Sequence, residues 1–328
     1  MENLKAFGIN DYKKTLVFMN IVLKFLLKTY KLTRLPIVDR MWWKLYAFTK
    51  NTNKNKSVKI KIHGFKVEQP FDFTYPITSR MVKTYNNPLI ECVYQLGDGV
   101  VLFDIGAAIG DTVMLIQANC PAMVKNFFCV EGDREFFTYL KNNMADFDNV
   151  ICVNTLLSDT PGKMKNLVRI HSGTASAQGE EYVESISFDE LAESLNVEKI
   201  DLIKIDTDGY DGKILRGAEK ILCKFKPLVI FEWHPILCKQ AETDYHDHFK
   251  VLQNSGYKTF IWFTKFGGFS HFVYEPTEKY IEQFAEICIK SEFDNDWHYD
   301  IVAFHEQSDF SVLEFANSTY SRNKRSPY

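Results

Sequence analysis

Four short apolar runs in the middle of this 328-residue chain each deliver a carboxylate: VVLFDIG with Asp104, NFFCVEG with Glu131, DLIKID with Asp206 and PLVIFEW with Glu232. Each acid stands where an apolar strand gives way to a loop, and an open parallel sheet gathers its ligands at that end. Behind Asp104 runs Gly106-Ala107-Ala108-Ile109-Gly110-Asp111-Thr112. Glycines there let the backbone approach a ligand, and the N–H groups that open the next helix can receive polar atoms. The third run continues as Asp206-Thr207-Asp208-Gly209-Tyr210-Asp211, a crowd of acids that is costly unless paired, liganded or used. The fourth continues as Trp233-His234-Pro235 and adds an imidazole able to move protons near neutral pH.

The spacing narrows the ligand. Dinucleotide sites use G-x-G-x-x-G to seat a pyrophosphate on a helix N-terminus, whereas this turn reads D-x-G-x-x-x-G with an acid in front. S-adenosylmethionine has no phosphates and carries a cationic amino-acid tail, so Asp104 with Gly106, Ala107, Gly110 and Thr112 suits it. Glu131, twenty-one residues past Gly110, can accept hydrogen bonds from both ribose hydroxyls. Ser158 and Asp159, after the next strand, fall where an adenine edge would be bonded, and Asp206 completes the expected cofactor set. For transfer to a hydroxyl, Asp208 or His234 is expected as base, with Glu232 and Tyr210 orienting the acceptor. Bland readings stand beside these: Asp211 as a helix cap and His234 as a structural histidine. A Mg²⁺ held by Asp206, Asp208 and Glu232 is a further alternative, but nothing in the spacing fixes three ligands in octahedral geometry, and no metal ligand is assigned.

These loops need elements to hold them. From about residue 99, continuous apolar strands alternate with helically spaced segments: Thr112–Ala118, Arg134–Met144, Phe188–Leu195 and Lys213–Leu222. That alternation predicts a parallel sheet covered on both faces, doubly wound by right-handed crossovers. A helix over Asp244–Ser255, the strand KTFIWFT, a Gly-Gly turn into SHFVY, a helix over Thr277–Lys290 and a last strand YDIVAFH follow, suiting an antiparallel pair at the sheet edge. Before the core, residues 11–49 read as two helices parted at Pro36, and NTNKNK at 51–56 reads as a linker. SVKIKIHGF alternates strictly, as one arm of a hairpin would. The expected domains are a basic helical extension at 1–56 and a methyltransferase-like domain at 57–328, with the hairpin region to about 98, the core at about 99–306 and a tail at 307–328.

The composition is that of an ordinary soluble globular protein, and with no small-residue cleavage site after the first apolar run export is not indicated. The chain is 46% hydrophobic and 25% charged, enough for a sizeable core. Its seven scattered cysteines form no CxxC pair and read as reduced thiols. The net charge of −3 hides an asymmetry: residues 1–63 sum to +11 and the remainder to −14. The apolar run Leu16–Leu27 is shorter than the ~20 residues of a membrane span. The expected address is cytoplasmic, with the basic arm as a peripheral contact for the inner membrane face or for a protein. Nucleic acid is disfavoured, because the acidic body would repel phosphates.

IDLIKIDTDGYDGKILRGAEKIL followed by PLVIFEWHP, together with DIGAAIGDT and VEGDREFF, resembles the FkbM family of methyltransferases over roughly residues 85–240. The resemblance implies the class I Rossmann-like fold, a seven-stranded, mostly parallel α/β sheet with an antiparallel last strand. It also implies S-adenosylmethionine as cofactor and O-methylation of a sugar or related small-molecule hydroxyl. Three positions depart from the family pattern: Ala108 stands for the usual asparagine, Gly132 for a common proline and Asp208 for a glutamate. Two rival readings remain, an NAD-dependent dehydrogenase and a non-catalytic binding module on the same fold. Acceptor identity and oligomeric state are not readable from the chain.

Overall fold

The computed structural model describes Lys44 and residues 56–73, 84–165, 168–171, 174–176, 182–290 and 297–325. The basic extension at 1–56 therefore lies, apart from Lys44 and Lys56, outside the described residues. The chain divides into two compact units, Met1–Met81 and Val82–Tyr328. In the first, β1 (Ser57–Ile62) and β2 (Phe65–Pro70) pair antiparallel. Val58, Ile60 and Ile62 are buried while Lys59 and Lys61 are exposed, the period-two pattern that marks a strand with one wet face.

The second unit opens with α1 (Asn87–Leu96), β3 (Val100–Ile105), α2 (Asp111–Asn119), β4 (Val124–Glu131), α3 (Arg134–Asn143) and β5 (Val150–Asn154). An insertion of short strands follows: β6 (Leu156–Ser158), β7 (Gly162–Lys165), β8 (Val168–His171), β9 (Thr174–Ser176) and β10 (Tyr182–Ser187). Then come α4 (Phe188–Ser194), β11 (Leu202–Ile205), α5 (Asp211–Arg216), α6 (Glu219–Phe225), β12 (Leu228–Trp233), α7 (Pro235–Gln240) and α8 (Asp247–Asn254). The unit closes with β13 (Tyr257–Thr264), β14 (Phe269–Tyr274), α9 (Glu278–Lys290), β15 (Tyr299–His305) and α10 (Val312–Arg325).

Eight strands form the main sheet in the order β14-β13-β15-β12-β11-β3-β4-β5. The five from β5 to β12 run parallel; β15 enters antiparallel beside β12, and β13 and β14 follow antiparallel. The last strand is therefore interior, and the β13–β14 hairpin supplies the edge and an eighth strand. Strand order reverses between β3 and β11, and a crevice forms at such a switch point. Alternate side chains face opposite layers. Phe103, Ile105, Ile203, Ile205, Val229 and Phe231 enter one core with Phe188, Leu215, Leu222 and Phe249 from the helices. Phe103 stacks on Phe128 at 4.5 Å and lies 5.0 Å from Phe188. The opposite set on the same strands, covered in part by α1, includes Asp104, Lys204 and Glu232, and these charges concern the site.

Local signals explain several boundaries. Ser187 caps α4 in a reciprocal box with Glu190, and Asp133 caps α3 through Phe136 N–H. The single helix expected over Lys213–Leu222 is two, because the chain turns at Gly217, where a Cβ would stand 2.2 Å from the Ser158 carbonyl oxygen. Helices α1, α7 and α10 and the insertion β6–β10 were not expected. No helix among the described residues is long and apolar enough to cross a membrane.

Candidate active site

The first loop shapes a crevice. Gly106 sits at φ +82°, and a Cβ there would stand 1.9 Å from the Asp206 carbonyl oxygen, so only glycine lets the β3 loop pass the end of β11. The N–H groups of Gly106 and Ala107 both donate to Val130 O, at 3.0 and 3.1 Å, tying the loop to β4. Ala108 then takes a left-handed conformation (φ 45°) and aims its N–H at Glu131 Oε2, 2.8 Å away. Asp133 N–H donates to Glu131 Oε1 at 2.8 Å. Each Glu131 oxygen keeps further lone-pair capacity. Burial pushes the Glu131 carboxyl up to about 7 despite these two N–H bonds, which favour its charged form.

Glu131 borders a crevice of about 700 Å³, part of it open to solvent, with Gly106, Ala108, Asp206, Asp208 and Tyr210 also in its wall. Phe136, Leu156, Leu157 and Met164 give it an apolar side. No lysine, arginine or histidine lines it among the described residues.

Several expected residues take other work. Asp104 is fully buried and forms an ion pair with Lys204 at 3.0 Å, while Lys204 also lies 3.4 Å from Asp206. Burial raises Asp104 and Lys204 opposes that; the neighbouring carboxylates hold Lys204 charged against its own burial. Asp104 is thus a neutralised anchor in the floor rather than an open carboxylate, and the half-exposed acid at the crevice is Asp206. Gly110 precedes α2 in a left-handed conformation and Thr112 is buried in that helix's first turn, so neither is in the wall.

Ser158 and Asp159 bond to each other at 3.0 Å, and Asp159 meets Arg216 at 2.7 Å. Neither lines the crevice; the preceding Leu156 and Leu157 do. His234 is 3% exposed and accepts the Leu237 N–H as the cap of α7, which occupies the nitrogen that would serve as base. Asp211, buried, accepts from the Thr207 N–H and hydroxyl and closes the turn before α5. Asp208 and Tyr210 line the crevice beside Glu131, whereas Glu232 lines a different pocket.

Glu232 lines a second pocket of about 450 Å³, part of it open to solvent, with Lys204, Asp206, His298 and Asp300. Its Oε1 lies 3.2 Å from His298 Nε2. Asp300 stands opposite Glu232 in the β12–β15 register. His298 and Asp300 were missed by sequence reasoning, although an acid inside the apolar run YDIVAFH is itself a signal. Among the described residues no three His, Cys, Asp or Glu side chains are grouped to hold a metal ion; Asp206, moreover, is engaged by Lys204.

The strand order, the reversal at β3 and the acid-ringed crevice define a class I methyltransferase scaffold. Residues 104–259 match the family model described as the Methyltransferase FkbM domain. A solved structure of methyltransferase FkbM from Methylobacillus flagellatus is similar, at 14% identity and TM-score 0.40; the match covers 63% of this chain and 44% of that one. The chain thus spans less than half the length of that relative. Precorrin-6y C5,15-methyltransferase from Geobacter metallireducens matches at 15% identity and TM-score 0.36, covering 67% of this chain and 87% of that one. M. jannaschii TYW2 in complex with AdoMet matches at 14% identity and TM-score 0.37, covering 76% and 86%. No curated protein sequence matches the chain.

Proposed function

We propose that the crevice beside Glu131 binds S-adenosylmethionine and that the protein transfers its methyl group to a hydroxyl of a sugar-like small molecule. One observation carries the reading: a crevice of about 700 Å³, part of it open to solvent, at the strand-order reversal has carboxylates and no cationic side chain among the described residues of its wall. A pyrophosphate-bearing dinucleotide would find no charge partner there, whereas a cationic nucleoside finds three acids. Glu131, held by two backbone N–H groups, is set to accept from the ribose diol. Phe136, Leu156 and Leu157 offer an adenine its apolar cover, and Asp206 is the acid for the amino-acid ammonium.

Bound there, the cofactor supplies an electrophilic methyl carbon on a positively charged sulfur. The chain's part is positioning: Glu131 fixes the ribose, Asp206 fixes the tail, and the acceptor oxygen must be held in line with the methyl at near-attack distance. A thermal-shift comparison tests the reading directly. S-adenosylmethionine should raise the melting temperature and NAD should leave it unchanged; a shift with NAD alone would refute the assignment. Glu131→Ala removes charge-assisted bonds worth about 1.5–3 kcal/mol, so calorimetry should show a Kd for S-adenosylmethionine roughly 10- to 100-fold higher.

A further inference from the structure

The second cavity lies on the sheet face whose side chains include Lys204, Ile230 and Glu232, with Asp300 paired beside Glu232 on β15. Tyr85, Asn86 and Leu89, at the start of α1, close it. Asp206 borders both this cavity and the cofactor crevice. A molecule held here abuts one in the crevice, the arrangement that transfer between two bound reactants requires.

Two observations describe that molecule. Lys204 is the one lysine or arginine among the described lining residues, and Asp104 and Asp206 already pair with it. Besides Lys204 and His298, the groups in the lining that can carry charge near neutral pH are the acids Asp206, Glu232 and Asp300, so a phosphate or carboxylate on the ligand would find no free cation there, whereas hydroxyls can both donate to and accept from carboxyls. Glu232 also carries an orphan: Oε1 bonds His298, while Oε2 is buried and receives no hydrogen bond. A buried carboxylate oxygen without a donor is costly, and a hydroxyl from a ligand would satisfy it.

We propose that this cavity receives the methyl acceptor, a neutral polyhydroxyl compound, and that His298, oriented by Glu232, takes the proton of the hydroxyl that is methylated. The proposal rests on the methyl-transfer reading above and adds its acceptor site and base. As the acceptor oxygen bonds the methyl carbon, the sulfur–methyl bond breaks and its electron pair stays on sulfur, giving a neutral thioether. The hydroxyl proton passes to the imidazole. Asp206 just past β11, Asp208 in the loop that follows, Asp211 at the start of α5 and Asp300 on β15 all act electrostatically on Glu232, while the His234 ring stacks on His298 at 4.8 Å. Burial and these four acids raise the Glu232 carboxyl well above its usual range, and a positive charge forming on His298 relieves that crowding.

The test uses the full chain, labelled S-adenosylmethionine and a panel of neutral methyl glycosides with their 6-phosphates. Calorimetry first establishes cofactor binding; if the wild type binds none, the methyl-transfer reading falls and this proposal with it. With binding established, neutral glycosides should accept label at least tenfold faster than their phosphates. Equal rates, a preference for the phosphates, or no transfer to any neutral glycoside overturns the proposal. His298→Ala should keep its cofactor Kd and acceptor KM within threefold of wild type, lose kcat about 100-fold or more, and recover turnover when free imidazole is added. A kcat within threefold of wild type, or a loss that imidazole does not restore, removes His298 as base. Should that variant not fold, Glu232→Gln reports instead: a kcat loss of tenfold or more with unchanged cofactor binding supports the pair, and unchanged kcat overturns it.

Discussion

Ala108 and Asp208 both occupy the left-handed region, at φ 45° and 53°, and both are positions where the chain departs from the FkbM pattern. The two departures have opposite physical signs. Aspartate visits this region more readily than a longer side chain, because its short carboxyl can bond locally. Alanine has no such compensation and is strained by roughly 1 kcal/mol. The strain is held by the Ala108 N–H bond to Glu131, which fixes the carboxylate that faces the crevice. Ala108→Gly should therefore stabilise the protein by about 1 kcal/mol, raising the melting temperature by roughly 2–4 °C for a domain of this size. A scanning calorimeter settles it; a fall in melting temperature would mean the loop is not strained.

Among the elements, the break between α5 and α6 matters most for the site. Gly217 backs onto Ser158, and Arg216 beside it reaches Asp159 at 2.7 Å and also pairs with Asp247 on α8. One turn thus joins the β6 end, whose Leu156 and Leu157 wall the crevice, to two helices. A methyl at 217 would collide with the Ser158 carbonyl, which backbone packing cannot absorb as a flexible side chain could. Gly217→Ala is expected to lower stability by about 2–3 kcal/mol and to weaken cofactor affinity through displacement of β6. Urea denaturation with calorimetry on the same variant tests both parts, and an unchanged midpoint would refute the close-contact argument.

Across the whole molecule, buried ionisable groups pull stability in opposite directions with pH. His248 is fully buried, stacks on Phe231 at 5.3 Å, and burial lowers it to about 4. The unfolded chain binds its proton more readily, so stability is lost as pH falls from about 6.5 towards 4, by about 3 kcal/mol in full. His248→Phe should flatten that acid limb. Asp111, Asp211 and Asp300 are pushed up to about 7, chiefly by burial. Folded carboxyls that prefer their protons contribute stability below about pH 4, and it is lost as pH rises through about 7. These acids should therefore lower the ligand-free melting temperature between about pH 4 and 7, against the rising His248 limb, and Asp300→Asn should make their fall shallower. An unaltered slope in Asp300→Asn would place the effect elsewhere.

The alternating apolar runs already implied the doubly wound sheet, because a strand buried on both faces must be apolar throughout while its ends carry the polar work. For the same reason Asp104, Glu131, Asp206 and Glu232 stood out, each at the end of such a run. Whether an acid is open, paired or capping depends on what the fold brings against it, and no spacing encodes that. Asp104 meets Lys204 from 100 residues away, Asp159 meets Arg216, and His234 turns back onto α7. Glu232 finds His298 and Asp300 only because β15 inserts antiparallel beside β12. Local pattern determined the scaffold and the row of acids at its mouth. Tertiary packing, strand pairing above all, decided which acids are neutralised in the floor and which remain to face a ligand.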